Sequence, residues 1–172
     1  MIFNYALGLK EVDKKMNVNY RKAIRAVVFQ NGKILMVGTN KCDYKFPGGG
    51  VENDESHEET LKREVREETG YIVKDIKNRI GVITQRKMDD YDVNSVFEMV
   101  SYYYLCEISD EQTALNLDDY EAELGFYPVW IDINRAIQSN EENFKKSEDD
   151  RNSWLQRETI VLKELLKYHD TI

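Results

Sequence analysis

Three glutamates, Glu64, Glu67 and Glu68, fall at spacings of three and four within Arg63-Glu64-Val65-Arg66-Glu67-Glu68-Thr69-Gly70. On a helix those spacings bring all three carboxylates to one face. Like charges so placed repel by roughly 0.2–0.5 kcal/mol per pair. Two of them also occupy the last turn, where the helix dipole disfavours negative charge. A segment that accepts both penalties is suited to one chemistry, the presentation of oxygen ligands to a hard divalent cation.

The elements that must position these acids are legible around them. Ser56 with Glu59 forms a capping-box signature, and the acidic residues from Glu52 to Glu55 favour the positive end of a helix. Leu61 and Val65 lie one turn apart and give that helix a narrow apolar stripe. Gly70 supplies a left-handed terminator. Upstream, Phe46-Pro47-Gly48-Gly49-Gly50 cannot be regular structure, because proline fixes one dihedral and the glycines permit close backbone approach. The predicted unit is strand, glycine loop, acidic helix, with a loop carbonyl and helix carboxylates available to the same ion.

Read as a pattern, Gly49, five residues, Glu55, seven residues, then Arg63, Glu64, Val65, Glu67, Glu68 and Gly70 resembles the box of the Nudix hydrolase superfamily (MutT-like). With residue frequencies of about 5–10% at seven fixed positions, a chance match is on the order of one in a million. Tyr71 departs from the pattern, which usually has an aliphatic residue there; a tyrosine ring can still pack on the core. The box covers the middle of the chain, and the hairpin before it and Pro128-Val129-Trp130-Ile131-Asp132 after it are similar to the same family. The resemblance implies an α/β fold, a mixed β-sheet sandwiched between α-helices. It implies Mg2+ (with Mn2+ as the alternative) held by Glu64, Glu67, Glu68 and the Gly49 carbonyl, with Glu64 first in line to take the proton of an attacking water. Arg63 is then expected to orient a carboxylate, and Glu55 to serve behind it or simply to charge the helix start. Family members often add a glutamate outside the box; Glu121 in Asp118-Asp119-Tyr120-Glu121 is the leading choice, with Glu123 and Glu98 behind it.

The implied reaction is hydrolysis of a phosphoanhydride in a nucleoside diphosphate linked to some group X. Oxidised nucleoside triphosphates, ADP-ribose and nucleotide sugars all fit that description. The rival is a noncatalytic nucleotide sensor, which usually shows a broken box or an attached DNA-binding domain. An RNA-end pyrophosphohydrolase is a third reading, weakened by the absence of a basic surface. Glu68→Gln is expected to cut turnover by orders of magnitude with little loss of fold.

Composition agrees with a small soluble enzyme. The 172 residues suffice for one domain with a real core, and 33% of them are charged. A formal net charge of −8 argues against a nonspecific nucleic-acid or anionic-membrane binder. Cys42 and Cys106 form no disulfide framework. The partly apolar stretch from Met1 to Leu9 lacks the basic leader of a signal peptide and is too short to span a membrane, so a cytoplasmic location is expected.

The rest of the chain divides into residues 1–20, an N-terminal extension that is a strand or arm, and a Nudix domain over 21–172. Runs at 23–29 and 34–37 flank Asn31-Gly32, a hairpin signal. Strands are predicted after the helix, across a turn at 80–84, at 96–107 and at 126–131. Asp132 caps a helix reaching Ile137, residues 139–151 read as loop, and 154–168 form an amphipathic helix. That last helix either covers the sheet or, with the N-terminal arm, makes a homodimer interface. Arg25 is open to two readings, an edge-strand charge or a phosphate contact, and His57 reads as solvent-exposed.

Overall fold

A computed structural model describes residues 1–52, 54–147 and 151–168. Two four-stranded sheets form its centre. The first runs β1 (Phe3–Gly8), β6 (Tyr71–Met88), β7 (Ser95–Gln112) and β2 (Asn17–Val27) in spatial order. It is mixed, because β1–β6 and β2–β7 pair parallel and β6–β7 antiparallel. In the second, β4 (Lys33–Gly38) pairs antiparallel with β3 (Phe29–Gln30), β5 (Tyr44–Lys45) and β8 (Tyr127–Ile131).

Helices cover both faces, α1 (His57–Thr69) on one and α3 (Ile133–Phe144) with α4 (Leu155–Lys167) on the other. Strand alternation divides the core accordingly. Ile24, Ala26 and Leu35 pack with Leu61 and Val65 of α1. Val27, Ile34 and Met36 pack with Ile133, Ile137, Val161, Leu162 and Leu165 of α3 and α4. Leu61 and Val65 are fully buried, each contributing about 1.5–3 kcal/mol. The expected α/β sandwich is the observed fold, and the stripe of α4 is spent mainly on the sheet, although Leu166 and Tyr168 remain exposed.

Of the two readings of the N-terminal extension, the strand is the one observed at residues 3–8, which join the first sheet with Phe3 buried against the ring of Tyr103. Two elements differ from the sequence reading, each for a physical reason. The turn expected before residue 80 is absent; β6 runs straight through by taking register shifts around Arg79, as bulges permit. The helix expected to stop at Ile137 continues to Phe144. Its buried face there is polar. Asn140 donates to Tyr44 O and accepts from Tyr44 N, and Asn143 donates to Cys42 O, so no apolar period marks it. The rest of the loop expected over 139–151 includes residues 148–150, outside the described set.

Candidate active site

The glycine loop is laced to β2. Ile24 N–H donates to Gly49 O at 2.9 Å, Ala26 N–H to Pro47 O at 2.8 Å, and Val51 N–H to Lys22 O at 3.0 Å. Gly48 holds φ at 134°, and a β-carbon there would overlap the Ile24 carbonyl, so only glycine fits. Its N–H donates to Glu68 Oε2 at 2.8 Å. At Gly49 a β-carbon would overlap the Glu64 carboxylate. The loop therefore lies directly against two of the three motif acids.

The acidic helix is capped as its sequence predicts. Ser56 accepts from Glu59 N–H, Glu59 accepts from Ser56 N–H, and Gly70 turns left-handed at φ 73° with its N–H on Arg66 O. Glu64 and Glu68 are buried, and Glu67 is only half-buried. Opposite them, α2 (Asp119–Glu123) is a five-residue helix closed by a second capping box, Asp118 with Glu121. It brings Glu121 over the pair, so that ligand oxygens of Glu64, Glu68 and Glu121 lie within 4.8 Å of one another. Glu67 turns aside to accept from Arg63 Nη1 at 3.2 Å. Glu98 pairs with Arg86, and Glu123 is exposed.

Arg63 is the organiser of the acids. Its Nε and Nη2 grip Glu55 at 2.7 and 2.8 Å, Nη1 donates to Glu64 at 2.8 Å, and Nη2 also reaches Gly50 O at 3.2 Å. This fork holds the Glu55 carboxyl down to about 2. Glu64 lies on the other side of the ordinary range, raised by burial and then by the charge of Glu68. Burial, followed by the charge of Glu68, lifts Glu121 to about 7.

Several cations share the cleft, and of these the sequence singles out only Arg25. Lys45 is buried and ion-paired with Glu68, its ammonium 4.7 Å from the Phe126 ring centroid. Arg25, read as an edge charge or a phosphate contact, is a buried cleft residue that donates to Gly48 O, while its Nε has no partner among the described residues. Burial and then the neighbouring Arg157 charge lower its pKa. Arg21, Lys87 and Arg157 also line this space, a cleft of about 470 Å3. His57 is not fully exposed; its Nδ1 lies 2.8 Å from Tyr104 Oη, away from the acids. Tyr71 fills the motif's aliphatic position by packing on Trp130 and accepting its indole N–H at 2.8 Å.

The NUDIX domain model matches residues 19–156. The chain belongs to the Nudix family. Two curated relatives are more distant. A protein of Lactococcus lactis subsp. cremoris named "Probable DHNTP pyrophosphohydrolase" is 26% identical over 79% of this chain and 76% of its own length. An "ADP-ribose pyrophosphatase" of Methanocaldococcus jannaschii is 29% identical over 59% of each chain. Among solved structures, a MutT NUDIX hydrolase from Burkholderia pseudomallei superposes with TM-score 0.55 at 18% identity, covering 86% of this chain and 98% of that one. No described helix of this Nudix domain is long and apolar enough to cross a membrane.

The donor set of the Nudix cleft fits a hard divalent ion. Three carboxylates converge, with the Lys45 ammonium on Glu68 and the Arg63 fork on Glu64, and two of the three show raised proton affinity. An oxygen-only cluster suits magnesium or manganese. One consequence is measurable without activity. Between about 4.5 and about 7 the folded, metal-free protein binds more protons at Glu121 than the unfolded chain does. Stability from this group is therefore greatest below that window and falls as pH rises through it. The expected loss is on the order of 1 kcal/mol after allowance for partial solvent screening. Thermal melts in EDTA should show Tm falling between pH 5 and 8, and magnesium chloride should restore it most strongly at pH 8. A flat profile with no magnesium response would contradict the assignment.

A second expectation concerns Gly49. Gly49→Ala forces the Glu64 carboxylate to move, because the new methyl takes its place. Since Glu64 is a flexible side chain, melts should shift by no more than about 1–2 °C, corresponding to a few tenths of a kcal/mol. Divalent-ion affinity, read by calorimetry, should drop on the order of ten- to a hundredfold.

Proposed function

We propose that this Nudix domain hydrolyses the phosphoanhydride of a nucleoside diphosphate linked to a second group X. Water adds across one P–O–P bridge, giving a nucleoside monophosphate and phosphorylated X. One observation carries the reading: Glu64, Glu68 and Glu121 converge in a cleft that also holds Arg21, Arg25, Lys45, Lys87 and Arg157. Carboxylates grouped beside several cations suit a diphosphate bound with a divalent ion.

Glu64 and Glu68 would hold that ion, with Glu121 beside them. Glu67 and the Gly49 carbonyl, which already accepts from Ile24 N–H and keeps a second lone pair, are further donors. When bound, magnesium or manganese makes water more acidic and offsets charge on the phosphate oxygens. The remaining work falls to the chain. Arg63 fixes Glu64 and Glu55 in place, and Gly48 N–H with Lys45 fixes Glu68. Glu121, half-buried at the mouth of the cluster, is placed to take and return a proton. Arg25 and Arg157 contribute positive potential where a phosphate chain would lie.

The test is a magnesium-supplemented panel with product identification. It should include ADP-ribose and DHNTP, for which the relatives are named, along with oxidised triphosphates, dinucleoside polyphosphates and nucleotide sugars. The expected result is cleavage of at least one to a nucleoside monophosphate or its pterin counterpart. Tight binding of one compound with turnover of none would favour a noncatalytic sensor.

A further inference from the structure

Beside the cleft lies a second cavity of about 210 Å3, with Lys87, Phe97, Met99, Ser153 and Arg157 lining both spaces. Cross-strand register builds one wall of it. Gln85 of β6 stands opposite Met99 of β7, and Lys87 stands opposite Phe97. Residues two apart on a strand share a face, so these four side chains form one patch. Phe97 and Met99 give it an apolar floor. No aspartate or glutamate lines the cavity among the described residues.

The orientation of Gln85 is fixed by chemistry. Arg157 Nη1 donates to Gln85 Oε1 at 2.7 Å. A guanidinium carries only donors, so the amide oxygen must be the atom facing it, whichever way the amide is drawn. Arg157 cannot swing aside to release it. Its Nε and Nη2 are committed to Glu158 at 2.8 and 2.6 Å, and the residue is buried. The Gln85 amide NH2 is left directed away from Arg157, and no described protein group accepts from it. Around the apolar floor the Gln85 NH2, the Lys87 ammonium and the Arg157 guanidinium are donors, while Ser153 and Gln156 at its rim can donate or accept.

We infer that this second cavity holds the heterocycle of the substrate, with its ring on Phe97 and Met99, and that the Gln85 amide donates to an acceptor on the ring edge. An oxopurine, which presents a carbonyl at its six-position, is therefore taken in preference to an aminopurine, which presents N–H donors there. The inference rests on the proposed reading that the adjoining cleft binds the phosphate chain. Gln85 is a specificity-determining residue in it, and Arg157 is a positioning residue.

ITP and ATP make the test, since they differ at that edge and share everything else. Wild-type kcat/KM should favour ITP by about ten- to a hundredfold, the range for one matched against one mismatched hydrogen bond. Gln85→Glu retains a partner for Arg157 and replaces the donors by an acceptor, so the ITP-to-ATP ratio should fall to about one or invert. Phe97→Leu should raise KM for both nucleotides several-fold and keep the ratio, which separates ring packing from edge reading. Calorimetric binding of the α,β-methylene analogues of ITP and ATP reads the same preference without turnover. Hydrolysis of neither nucleotide, with a binding preference that Gln85→Glu erases, would remove nucleoside triphosphates as substrates and leave this inference standing. Equal affinity for the two analogues, binding of neither, or a ratio unmoved by Gln85→Glu would overturn it.

Discussion

Replacing Glu68 by glutamine is expected to lower turnover on the order of 10²–10³-fold, equivalent to about 3–4 kcal/mol of transition-state stabilisation. The carboxylate is 1% exposed, and its oxygens meet the Gly48 N–H, the Lys45 ammonium and the Glu64–Glu121 cluster. Glutamine keeps the size and one acceptor oxygen but loses the charge. From the sequence, the loss of one like charge promises relief for the fold. The structure alters that expectation, because Lys45 would be left buried with a neutral amide beside it. Stability should then fall by about 1–3 kcal/mol, less than the full cost of breaking a buried pair, since the amide oxygen still accepts. The double variant Lys45→Met with Glu68→Gln separates the two roles: urea midpoints should recover towards wild type while turnover stays low. Recovery of activity in the double variant, or an active single variant, would exclude Glu68 from the reaction.

What the sequence made legible is local, and what it hid is distant. The capping box at Ser56 and Glu59, the Asn31-Gly32 turn and the terminator at Gly70 each act within four residues, and all three form as expected. The motif likewise brings Glu64 and Glu68, one turn apart, to one helix face by spacing alone. Glu121 was readable only as an acid near a strand; its place over Glu68 depends on a capped five-residue helix 53 positions along the chain. Lys45–Glu68 and Arg157–Gln85 join residues 23 and 72 apart, and no local period encodes such pairs. Lys45 did stand beside the glycine loop, a position where a buried cation could have been suspected. Arg157 lay in an amphipathic helix whose apolar stripe drew attention away from its charged positions. Glu67, one helical turn from Arg63, accepts from its Nη1 and stands beside the Glu64–Glu68–Glu121 group instead of within it.

The largest stability effect should come from Glu158→Ala, far from the motif in sequence. Glu158 is 0% exposed and Arg157 2%, and the carboxylate accepts from Arg157 Nε and Nη2 through Oε1. Its other oxygen accepts from Phe46 N–H at 3.1 Å, at the first residue of the glycine loop. Alanine would leave a buried guanidinium unpaired and that N–H unsatisfied. The expected loss is about 3–5 kcal/mol, read as a lower urea midpoint at an unchanged m-value. Glu158→Gln should cost less, because an amide oxygen can still take one of these donors. Replacing both members, Arg157→Met with Glu158→Leu, should recover much of the loss, since an apolar pair of similar volume avoids the desolvation of two charges. That double variant should nevertheless remain poor in turnover: it removes a cation from the cleft, frees the Gln85 amide and releases the start of the loop that carries Gly48 and Gly49. If the double variant were as active as wild type, the buried pair would be a matter of folding alone. A urea midpoint for Glu158→Ala equal to that of wild type would exclude a stabilising role for the Arg157–Glu158 pair.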